Sequence, residues 1–86
     1  MTDATDTPIS LTRPITTAAG VQLTSVTMRR AKVRDLRRMK DFGSDDLSQE
    51  LGLMAHLAGL VPEDFDEIDA ADFRKIQLRF RDFLGM

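Results

Sequence analysis

The sequence predicts an α+β fold: an N-terminal β-hairpin packed on a small bundle of about three helices. Two observations carry this. Apolar residues alternate with polar ones over residues 9–28, then recur at helical spacing from Val33 to Leu84. The change of period falls once, so strands and helices are segregated along the chain rather than interleaved. At 86 residues the chain makes one compact domain and not two. A core of that size is marginal, so a partner or a second copy would help it.

Residues 1–8 read as a disordered tail, because they have almost nothing to bury. Residues 9–86 read as the single domain. Ile9, Leu11 and Arg13 alternate with Ser10 and Thr12 in strand fashion, and Pro14 confines that strand to a sheet edge. Thr16–Gly20 reads as the connecting loop, with Gly20 free to take a positive φ. Val21 and Leu23 alternate, then Val26 and Met28. The phase slips near Thr24-Ser25, which predicts a bulge there.

Val33, Leu36 and Met39 predict a short helix from about Lys32 to Asp41, ended by Gly43. Ser44 is placed to cap a second helix, with Asp45 and Asp46 in its first turn. Leu47, Leu51, Met54 and Ala58 make one stripe on it, and Leu53 and Leu57 widen that stripe. Gly59 closes this helix. Pro62-Glu63-Asp64 suits a new first turn. Asp69 then caps the last helix, with Asp72 in the place of a capping-box acid. Phe73, Ile76, Phe80, Phe83 and Leu84 form its apolar face.

The net charge of −2 conceals a segregation. Arg29, Arg30, Lys32, Arg34, Arg37, Arg38 and Lys40 crowd into residues 29–40, with Asp35 the one acid among them. Residues 41–72 hold ten acids and no Lys or Arg. Such fields govern association more than fold. The basic run has three readings: a solvated face, a face for an acidic partner or for the acidic segment of another copy, and a phosphate-binding element. Against nucleic acid, the run lacks Asn and Gln to read bases, and no aromatic residue interleaves with it.

Chemistry is sparse. There is no cysteine, which removes disulfides, thiolate nucleophiles and cysteine zinc sites. His56 is the one histidine, so a histidine cluster for metal or catalysis is excluded. The acidic stretch Asp64–Asp69 fails the calcium-loop pattern. Counted from Asp64, Ile68 is fifth, Asp69 stands where glycine is needed, and Lys75 where the final Glu belongs. No nucleophile, base and orienting group can be assembled. The expectation is a binding protein with no cofactor and no catalytic residue. No apolar run approaches a membrane span, and residues 1–8 lack the basic start and apolar core of a signal peptide. A soluble protein of the cytoplasm is expected.

Four ordered stretches resemble the tail assembly chaperone family of Mu-like phages and prophages. They are Ile9-Ser-Leu-Thr-Arg-Pro-Ile15, the run from Val26 to Leu36, the run Leu51–Pro62 ending Ala-His-Leu-Ala-Gly-Leu-Val-Pro, and Phe65-Asp-Glu-Ile-Asp-Ala-Ala-Asp-Phe73. One departure is Lys32, where the resemblance calls for a small capping hydroxyl. The resemblance covers about residues 9–84. It implies a protein that binds the tape measure protein and keeps it soluble while tail tube subunits polymerise around it, and that is not retained in the mature virion. Tube subunits are further expected partners, in the cytoplasm of a bacterial host. The alternatives are a small DNA-binding phage regulator using the basic helix 29–40, or a minor structural tail component. The wide apolar face of the second helix has two readings: core packing under the hairpin and last helix, or Leu53, Leu57 and Leu60 partly exposed to take hydrophobic helices of a client. The expected contact residues are these three leucines, on the second reading, and the arginines Arg30, Arg34, Arg37 and Arg38. Pairing of the opposed charge segments between copies would make a homo-oligomer.

Overall fold

A computed structural model describes residues 7–85. The tail expected over residues 1–8 therefore lies almost wholly outside the described residues. Strand β1 (Ile9–Thr16) and strand β2 (Gln22–Val26) form a two-stranded antiparallel sheet. Helix α1 (Val33–Leu36), a 3-10 turn (Met39–Phe42), and helices α2 (Asp46–Ala58), α3 (Pro62–Asp66) and α4 (Ala70–Phe83) follow. The fold is α+β, as the change of period requires.

The hairpin is irregular at the level of the slip near Thr24-Ser25, but the extra residues lie in the partner strand. Ile9 and Ser10 stand opposite Val26 and Ser25, whereas Ile15 and Thr16 stand opposite Leu23 and Gln22. Five steps along β1 thus face two along β2, so the extra residues lie in β1 and not at Thr24-Ser25. The cause is visible in the hydrogen bonds. The N–H groups of consecutive residues in a regular strand point to opposite sides. Here those of Thr12 and Arg13 both donate to the Asp72 carboxylate, each at 3.0 Å. Pro14 follows and has no N–H to return to the ladder. Gly20 closes the loop at φ 83°, as expected.

The core is built from three layers of sequence. Ile9, Leu11, Ile15, Val26 and Met28 come from the hairpin; Leu53, Met54, Ala55 and Leu57 from α2; Ile76, Phe80 and Phe83 from α4. Phe65 and Ile68 fill in from α3 and the link to α4. Met28, Leu53, Met54 and Ile76 are fully buried. Gly52 lets the 3-10 turn approach α2: a Cβ on it would stand 2.3 Å from Phe42 Cβ. Helix α2 ends at Gly59 in the left-handed region, with Leu60 N donating to Ala55 O and Gly59 N to His56 O. That pair of bonds is the Schellman arrangement, which satisfies two terminal carbonyls.

One cap and one helix length differ from expectation. Asp45, not Ser44, is the N-cap of α2, accepting from Ser48 N at 3.1 Å. Asp45 has the extended backbone a cap needs, and its carboxylate is held below its ordinary pKa by the Ser48 hydrogen bonds. The first helix is also shorter than the span from Lys32 to Asp41. It makes one α turn, then tightens into the 3-10 turn before Gly43.

Candidate partner-binding surface

Three buried aspartates organise the surface. Asp35, Asp64 and Asp72 are 2%, 6% and 1% exposed, and each occupies the third position of its helix. A carboxylate there lies by the unsatisfied N–H groups of the helix start. Each also reaches beyond its helix. Asp64 accepts from Val61 N at 3.3 Å and from Ala18 N at 2.8 Å, so it ties α3 to the hairpin turn. Asp72 does not close a capping box; it serves the irregular strand and pairs with Lys75 at 3.1 Å. Its pKa lies well below the usual carboxylate range, chiefly through the bonds from Thr12 and Arg13.

The outer edge of β1 is answered by α4 along its length. Besides Asp72, Lys75 Nζ donates to Ser10 O at 2.7 Å and Arg79 to Thr7 O at 2.8 Å. Asp72, Lys75 and Arg79 recur at helical spacing on one face of α4. Together they do what a third strand would do: they meet the donors and acceptors of the edge.

Asp35 shapes the basic segment. The Arg29 guanidinium donates to both its oxygens at 2.8 Å, and Lys32 N donates to it at 2.8 Å. This fork holds the carboxylate well below its ordinary pKa despite burial, and raises that of Arg29. It also answers the departure at Lys32. The Lys32 side chain makes no cap, and the acid three residues on covers the Lys32 N–H instead. Arg29 N donates to Leu57 O at 3.1 Å, which anchors the approach to α1 on the end of α2. Arg29 is therefore part of the scaffold.

Arg30, Arg34, Arg37 and Arg38 are all exposed, as expected of a contact face. Among them stand Val33 at 73% exposure and Leu36 at 37%. The stripe Val33, Leu36, Met39 therefore does not face the core: only Met39 is packed against it, partly buried. A one-turn helix is placed by its clasp, and the Arg29–Asp35 clasp turns the apolar side outward.

The three leucines divide. Leu53 is 0% and Leu57 4% exposed, so the expectation that they are partly exposed is corrected. They are core residues, because α2 lies beneath both the hairpin and α4 in one shared cluster. Leu60 is half-buried and does reach a surface groove. That groove, about 390 Å³, runs between the β2 side of the hairpin and the α2–α3 junction, and includes Val21, Leu23, Leu60 and Val61. Val21 is 56% and Val61 46% exposed. Neither was singled out from sequence; each is an apolar residue beside a turn former, Gly20 or Pro62. On the β1 side of α3 a second groove of about 560 Å³ carries Glu63 and Glu67. His56 is half-buried with its ring 6.0 Å from that of Phe42. Among the described residues, no three His, Asp or Glu side chains gather as a cation site. No helix among them is long and apolar enough to cross a membrane.

A family model described as phage tail assembly chaperone proteins, E, or 41 or 14, matches residues 8–85. The chain belongs to the phage tail assembly chaperone family. No curated protein and no solved structure matches it. The resemblance carried by the four sequence stretches is thus the family itself, over nearly the whole chain. In this chaperone, the stretches correspond to β1, to the end of β2 with α1, to the latter part of α2, and to the end of α3 with the start of α4. Asp35 and Asp72 lie near the ends of the second and fourth stretches, and Asp64 lies between the third and the fourth.

Proposed function

We propose that this chaperone binds the tape measure protein and keeps it soluble while tail tube subunits polymerise around it, and that it leaves before the virion is complete. The family match over residues 8–85 carries this reading. The surface chemistry supports it: exposed arginines stand around the apolar Val33 and Leu36 and offer grip. Binding is non-enzymatic and takes place in the host cytoplasm. The grip is the face bearing Arg30, Arg34, Arg37 and Arg38 around Val33 and Leu36, with the groove at Leu60 as a second apolar contact. A client segment for the first face has acids flanking an apolar strip, as an amphipathic helix does. Leu53 and Leu57 support these surfaces from within. Release by incoming tube subunits requires moderate rather than extreme affinity.

The test is co-expression with the tape measure protein of the same phage or prophage. The soluble fraction of that protein should rise with the chaperone present and fall when Val33 and Leu36 are both changed to Ser. An unchanged soluble fraction with and without the chaperone would sink the proposal. Mass spectrometry of purified particles should find the tape measure protein and not this chain. Its presence in stoichiometric amounts would point to a structural tail component instead.

A further inference from the structure

The two edges of the sheet are treated differently. That of β1 contains Arg13 and Pro14 and is met by Asp72, Lys75 and Arg79. Charge, proline and a covering element are the ordinary defences of a sheet edge. Among the described residues, strand β2 has none of them: its chief neighbour is β1, and no described helix lies along it as α4 lies along β1. The whole span Thr16–Met28 is without a charged residue, in a chain of which 30% is charged. Gln22 and Thr24 are exposed.

We propose that β2 pairs with β2 of a second copy, antiparallel about a two-fold axis at Thr24, joining two hairpins into one four-stranded sheet. The self-pairing follows from the strand's own chemistry. An uncharged strand meets its copy without repulsion. About that axis Gln22 stands opposite Val26 of the second copy, Leu23 opposite its Ser25, and Thr24 opposite its Thr24. Facing threonines are a favourable cross-strand pair. The interface is isologous, so it closes at two copies and does not propagate. The inference goes beyond chaperoning and does not depend on it.

Sedimentation equilibrium over a range of protein concentrations tests it. The wild-type chain should show a monomer–dimer equilibrium that survives high salt, about 1 M, where surface charge attraction is screened. Thr24→Lys and Thr24→Glu each place like charges face to face, and each should weaken dimerisation by about tenfold or more. An equimolar mixture of the two should restore a dimer. Circular dichroism shows that the variants fold, since Thr24 is exposed. A wild-type chain that stays monomeric overturns the proposal. So does a dimer that Thr24→Lys leaves unchanged, or one that salt dissolves.

Discussion

Breaking the Arg29–Asp35 clasp tests how the basic face is held. Helix α1 is one turn long, and a single turn does not sustain itself in water. Its conformation therefore rests on Asp35. Removing the fork with Arg29→Ala loses two charge-assisted bonds, each worth about 1.5–3 kcal/mol in full. The Arg29 side chain is 43% exposed, so solvent screening reduces the pair to about 2 kcal/mol in total. Asp35→Ala loses the same fork and also strands the Lys32 N–H, for about 3 kcal/mol. The double variant should cost no more than Asp35→Ala alone, leaving a coupling energy of about 2 kcal/mol. Urea unfolding followed by far-UV circular dichroism measures all three. The same series has an acid limb. The depressed pKa of Asp35 contributes stability that is present above the unfolded carboxylate value, about pH 4, and lost as pH falls below it. Asp35→Asn should flatten that limb. A coupling energy under about 0.5 kcal/mol would refute the reasoning, because the clasp would then be a surface ion pair.

Other outcomes follow from the same geometry. Asp72→Asn replaces one acceptor oxygen by a donor, so amide exchange at Thr12 and Arg13 should accelerate well beyond that at Ser25 and Val26. Gly52→Ala gains about 1 kcal/mol of helix propensity. It also drives a methyl into the near end of Phe42, and overpacking of about 1–3 kcal/mol should leave a net loss in thermal unfolding. Arg37→Glu with Arg38→Glu should change stability by less than about 0.5 kcal/mol, since both side chains are exposed, while abolishing solubilisation of the tape measure protein.

The fold was largely legible because its main devices are local. The change of period at Val33, the closing glycines Gly20 and Gly59, and Pro62 at a helix start each act within a few residues of themselves. The aspartates were legible only in half. Their place in a first turn can be read from neighbours, but the strand that Asp72 serves lies 60 residues away. Local pattern holds no record of such a partner. The slip at Thr24-Ser25 marks the level of the irregularity but not the strand that carries it: alternation reports which side chains face the core, whereas register depends on both strands. On the surface, the arginines were legible because a dense run of like charge stays in water. The leucines were legible only as two alternatives, core or contact face, since period 3.6 gives the width of an apolar face and not what covers it. Leu53 and Leu57 are covered from above; Val33 and Leu36, with the same signature, are uncovered.

The α4 ladder along β1 has a consequence for the order of synthesis. The first strand leaves the ribosome long before the side chains that hold its edge. Sixty residues separate Thr12 from Asp72. At bacterial translation rates of about 5–20 residues per second that is a wait of about 3–12 s. Throughout it, the N-terminal hairpin has an exposed edge on both sides. Folding of this small domain is consequently tied to the emergence of its last helix. A nascent chain stalled before Asp72 is an unfinished sheet, with its sticky side available to whatever is being made nearby.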